Sequence, residues 1–152
     1  RSEPMILLAW IAAAVLLPAA ALHLVWAFGI PWPFATERDL AHSVGGPSLN
    51  PKTGYWAKFA ITVIAAGAIL AAGVLPLIHA GVLPNPLPKQ VAYWLLLAQT
   101  VAFLLRGGLG YVDVAPASAH EPFRTYNRRY FSPLIIVLGL ICASLLILTS
   151  EM

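Results

Sequence analysis

Two ionisable side chains stand inside long apolar runs of this 152-residue chain, His23 and Arg106. An imidazole can donate, accept or carry a proton, and a guanidinium offers five N–H donors to a carbonyl, carboxylate or phosphate. Lys58 and Ser132 stand at the starts of two further apolar runs, and Trp26 and Tyr130 lie close by in sequence. Together His23, Trp26, Lys58, Arg106, Tyr130 and Ser132 form a candidate ligand pocket. His23 would supply a proton or hydrogen bond there, and Arg106 would hold an anionic or carbonyl oxygen. A purely structural reading stands beside it. Arg106 then pairs with Asp113 or a loop carboxylate while its stem snorkels, and His23 bonds a neighbouring backbone carbonyl or a Trp indole.

Other chemistries find less support. The one cysteine, Cys142, lies in an apolar run, so neither an intrachain disulfide nor a cysteine metal site is available. His23 has no histidine at matching depth on another run, which disfavours bis-histidine haem. His79 is at the opposite end of its run, and His42 and His120 lie in connections; nothing in their spacing favours a metal between them. Neither Ser132 nor Cys142 sits in a nucleophile motif, and no Gly-rich phosphate loop occurs, so no catalytic residue, metal ligand or cofactor is named. The segment from Phe123 to Tyr130 carries Arg124, Arg128 and Arg129. It reads either as a topological anchor or as a lipid-headgroup site. Gly107, Gly108 and Gly110 directly follow Arg106, where they would loosen the helix or admit a close neighbour.

The elements that must hold these residues follow from composition. The chain is 60% apolar and 10% charged, with a mean hydropathy of +0.81, whereas a soluble domain is roughly 25% charged. That excludes a soluble globular domain, a disordered chain and a disulfide scaffold. Four runs, about 5–28, 55–78, 91–111 and 131–149, reach the ~20 residues a helix needs to cross ~30 Å of hydrocarbon. The expected fold is therefore all-α, a single domain over 1–152: a four-helix up-down-up-down transmembrane bundle with two longer connections. No small-residue cleavage pattern follows the first run, so it is expected to be a retained span.

Orientation follows from the basic residues. Arg38, Lys52, Lys58, Arg106, Arg124, Arg128 and Arg129 flank the two longer connections, seven of the 9 Lys and Arg; only Arg1 and Lys89 fall on the other side. The longer connections are expected in the cytoplasm, with both termini and the Pro84–Pro88 connection outside, in a bacterial inner membrane. His23, Arg106, Lys58 and Ser132 then share one inner-leaflet layer. So few basic residues, lying at a membrane surface, exclude nucleic-acid binding in practice.

Two segments carry a family likeness. One is Ala21-Leu22-His23-Leu24-Val25-Trp26-Ala27-Phe28-Gly29 with Trp32-Pro33; the other runs from Phe103-Leu104-Leu105-Arg106-Gly107-Gly108 to Tyr130-Phe131-Ser132-Pro133-Leu134. The chain resembles the DUF3995 family of small bacterial four-span membrane proteins. The resemblance implies that His23, Trp26, Arg106, Tyr130 and Ser132 belong to the family pattern, and it supplies no reaction and no substrate. Where that pattern has an acidic residue shortly after the arginine–glycine turn, this chain has Leu109-Gly110, with Asp113 coming later.

Three functions compete. The first is a non-enzymatic accessory or structural subunit packing against a larger membrane complex, suggested by small size and Ala/Gly-rich helices. The second is a lipid- or quinone-like ligand site, with turnover left open, in the inner-leaflet pocket around His23 and Arg106. A small transporter comes third, since no acidic residue lies within a span and no inverted repeat is evident.

Overall fold

The computed structural model describes residues 2–112, 114 and 116–150, and every regular element among them is helical. Four helices are long and apolar enough to cross a membrane. Helix α1 spans Glu3–Ala27, with a proline in its first turn where an N–H would be unpaired anyway. It stops at Phe28, and the chain turns through Gly29 at φ 79°. After a short helix α2 (Glu37–Val44), α3 runs over Tyr55–His79 and α4 over Lys89–Leu109. The fourth crossing begins earlier than its apolar run suggests. A turn of helix α5 (Phe123–Tyr126) continues through a π-helical turn at Asn127–Phe131 into α6 (Ser132–Ser150).

Alternate helices run in opposite directions, so both long connections share one end, where α2 packs against α5 and the rings of His42 and His120 stack at 5.2 Å. At the other end His79 Nε2 lies 2.9 Å from Thr149 Oγ1, joining the last turns of α3 and α6. The Thr149 hydroxyl gives its one proton to the Leu145 carbonyl, so the imidazole is the donor.

Lipid tails are as apolar as leucine, so burial of apolar area does little to drive these helices together; close packing does. Helix α1 packs most closely on α3, and α4 on α6, with narrower seams between the two pairs. The buried stripe of α1 is mostly alanine: Ala9, Ala12, Ala13 and Ala20, with Met5 and Leu16. On α3 the matching position is Gly73, where a Cβ would stand 3.1 Å from Leu16 Cβ. The α4–α6 seam uses Gly107 and Gly139 in the same way, against Ile136 and Leu104. Helix α4 is thus not loosened at Gly107 but remains regular to Leu109 and uses the missing side chain for approach.

Each proline within a span leaves a carbonyl one turn earlier without its helical donor. For Pro76 that carbonyl belongs to Ala72, and Gln99 of α4 supplies the missing donor: its Nε2 lies 2.9 Å from Ala72 O. The same nitrogen is 3.5 Å from Cys142 Sγ, so one amide links α3, α4 and α6 at mid-span.

Candidate functional site

The first connection builds one wall of a cleft. Thr36 caps α2, accepting from the Asp39 amide at 3.1 Å while its hydroxyl donates to Asp39 Oδ2 at 2.7 Å. The helix ends at Gly45, whose φ of 79° is open to glycine at little steric cost. Leu40 and Ala41 are buried beneath it. From this wall Glu37 reaches across to α3, where Lys58 Nζ donates to its Oε1 at 3.0 Å; Ser48 Oγ donates to the same oxygen. These two bonds hold the Glu37 carboxyl below its ordinary pKa, Ser48 contributing most and then Lys58.

Between α1, α3 and this wall lies a half-open cleft of about 360 Å³, within the range of small-ligand sites. His23, Trp26 and Lys58 line it, as do Phe59, Thr62 and Ala65. From Tyr55 to Ala65 it follows ten residues of α3, a depth of ~15 Å at 1.5 Å per residue, or about one leaflet. His23 Nδ1 is 2.8 Å from the Ala19 carbonyl, and the ring sits 4.7 Å from that of Trp26. The Trp26 indole donates to Trp32 O at 2.8 Å, folding the segment after α1 back over the helix end.

The other candidate residues gather elsewhere. Arg106 Nη2 donates to Asn127 Oδ1 at 2.9 Å; Asn127 Nδ2 donates to Gly110 O at 2.9 Å, and Ser132 Oγ stands 3.4 Å from Asn127 Oδ1. Asn127 and Ser132 are buried. Gly110 is required here, because a Cβ would overlap Ser132 Oγ. This network ties the end of α4 to the π-helical turn that opens α6. Among the described residues no carboxylate pairs with Arg106; Asp113, the partner considered from sequence, lies outside the described residues. Tyr130 is exposed, with the Arg129 guanidinium 5.6 Å from its ring centre. Arg124 Nε donates to Ser118 O at 2.9 Å and Arg128 Nη2 to Tyr111 O at 3.2 Å, so two of the three headgroup candidates also brace the second connection.

Of the six pocket candidates, the structure brings His23, Trp26 and Lys58 to one cleft. It places Arg106 and Ser132 together at a second contact, and Tyr130 on the surface. Outside the candidate set, Glu37 and Ser48 complete the first site and Asn127 the second, while Gln99 joins three helices apart from both. Glu37 is one of the polar residues that the first connection brings above the layer of His23 and Lys58; Ser48 could have been suspected from the Gly45-Gly46 stop, which ends the short helix carrying Glu37. Gln99 could have been found by pairing a lone amide in an apolar run with a proline in another. No three His, Cys, Asp or Glu side chains converge as a metal site among the described residues.

Four apolar crossings and a polar-lipped cleft at one end define a multi-span helical membrane protein. The chain belongs to the DUF3995 family, described as a protein of unknown function, whose match covers residues 16–142. No curated protein and no solved structure matches it.

Proposed function

We propose that this protein binds a lipid-like amphiphile in the cleft between α1 and α3, with the long connections facing the cytoplasm of a bacterial cell. The observation that carries the reading is the cleft's polarity gradient. The Glu37–Lys58 pair and Ser48 stand at its mouth near His23, and Ile61, Thr62 and Ala65 line α3 below them, the Thr62 hydroxyl being spent on Lys58 O. An amphiphile dissolved in the inner leaflet has this same gradient at this same depth. The inner-leaflet pocket expected around His23 and Arg106 is thereby narrowed to His23, Trp26 and Lys58. Arg106 and Ser132 serve to hold the second connection, Tyr130 stays outside the cleft on the surface, and Arg124, Arg128 and Arg129 meet anionic headgroups beside it.

An accessory-subunit role draws on the small size and the exposed apolar helix faces. Surrounding lipid accounts for those faces equally well, whereas bulk lipid does not require a cleft with an ion pair at its mouth. Lipids that copurify with wild-type protein and with Ala65→Trp, which fills the cleft floor, test the reading by mass spectrometry. An amphiphile enriched in wild type is expected to fall at least severalfold in the variant. Identical lipid profiles would overturn it.

A further inference from the structure

The cleft's hydrogen-bonding groups are unevenly assigned, and this selects among amphiphiles. A carbonyl oxygen only accepts, so the bond from His23 Nδ1 to Ala19 O places the ring proton on Nδ1. In the neutral ring, Nε2 is then left with its lone pair, and His23 lines the cleft. The Trp26 and Thr62 donors are already consumed. The Trp26 indole N–H is given to Trp32 O, and the Thr62 hydroxyl is given to Lys58 O at 2.8 Å, which leaves its oxygen able to accept. At the mouth the Ser48 hydroxyl goes to Glu37, and the charge of Lys58 is balanced by the same carboxylate. Below its mouth the cleft thus offers acceptors in excess of donors, under a neutralised ion pair. A ligand that brings its own donor satisfies them; one that brings a negative charge meets a cation already paired and a carboxylate beside it.

Building on the cleft reading above, we propose that its ligand is an uncharged amphiphile with a hydroxyl head, a long-chain alcohol or a quinol, whose O–H is accepted by His23 Nε2. The isoprenoid or alkyl tail follows Phe59 and Ala65 toward the middle of the bilayer.

The test uses three probes with one tail: geranylgeraniol, its methyl ether, which keeps the oxygen but lacks the proton, and geranylgeranyl phosphate. Each is titrated into the full chain in phosphatidylcholine nanodiscs at about pH 8. The ¹⁵N resonances of the histidine side chains are followed along with Kd. The alcohol is expected to bind roughly three- to tenfold more tightly than the ether, the value of one net hydrogen bond. It should also move the Nε2 resonance of His23. His23→Phe should bring the alcohol to the ether's Kd. The alcohol–ether comparison in wild type stands even if that variant folds poorly. Equal binding of alcohol and ether, or tighter binding of the phosphate, would overturn the hydroxyl assignment while leaving an occupied cleft. If all three bind weakly and Ala65→Trp alters none of them, the cleft reading itself falls.

Discussion

At the scale of single residues, the polar side chains that matter most in this bundle answer a local deficit. Gln99 is the clearest case, because the donor it supplies is the one that Pro76 removes from α3. Replacing Gln99 with Leu leaves the Ala72 carbonyl unpaired in the membrane interior, and should cost about 1 kcal/mol on the scale of interhelical hydrogen bonds in bilayers. In a Pro76→Ala background, where an amide N–H is restored at position 76, the same change should cost little. Unfolding of the two single variants and the double variant in detergent checks this, the coupling energy being the quantity of interest. A coupling near zero would show that the amide contributes through packing alone. Glu37 answers a different deficit, the charge of Lys58. Because its carboxyl is held below the ordinary value, its contribution is complete above the unfolded-state pKa and is lost as pH falls through the lowered folded-state value. Acidification below the ordinary carboxylate range, ~4.3, should therefore release α2 from α3. Spin labels at Arg38→Cys and Trp56→Cys should report a wider distance distribution there and an unchanged one in Glu37→Gln, which lacks the titrating group.

At the scale of elements, the pairing of helices is decided at glycines, and neighbouring glycines differ. A Cβ at 107 would stand 3.1 Å from both the Ile136 amide nitrogen and the Ser132 carbonyl oxygen, backbone atoms that side-chain rearrangement does not move. At 108 it would meet nothing within 4 Å. Gly107→Ala should therefore force α4 from α6 and destabilise by roughly 1–3 kcal/mol, as overpacking does. Gly108→Ala should be neutral, or stabilising by up to ~1 kcal/mol through helix propensity. Thermal unfolding followed by circular dichroism distinguishes the two, and equal behaviour would show that the seam yields. The crossings themselves were legible as apolar runs, and their ends as glycines and prolines. The pairing of α1 with α3 and α4 with α6 was not. These helices are apolar around most of their circumference, so no stripe in either one marks its partner. The early start of the fourth crossing was hidden because Arg124, Asn127, Arg128 and Arg129 read as a connection. In the fold that stretch is helical, with Asn127 buried and bonded to Arg106.

At the scale of the whole molecule, chain topology sets the long connections on one end and the connection between α3 and α4 on the other. That end-to-end difference carries the charge asymmetry. With the basic end cytoplasmic, a membrane-impermeant maleimide should label Asn85→Cys in intact cells, and Lys52→Cys only after permeabilisation. The native Cys142 is buried and should stay silent. The reverse pattern would invert the orientation. The layer of polar residues expected at this end also resolves into two sites. His23 and Lys58 belong to the α1–α3 pair and open on a cleft. Arg106 and Ser132 belong to the α4–α6 pair and close on Asn127. Residue depth, which sequence spacing reports, placed all four at one level; the side of the bundle they face is a property of the pairing.

What the sequence determined by itself is the solvent, the number of crossings and the end at which charge collects. A bilayer interior leaves no water for backbone groups, so an apolar run of sufficient length must become a helix whatever surrounds it. What only the tertiary structure decided is which polar groups meet. Helix association in lipid depends on the fit of one surface to another, at Gly73 against Leu16 or Gly139 against Leu104. Such a fit belongs to a pair of helices and is written in neither alone. The cleft exists because α1 and α3 are a pair and α2 lies across their end.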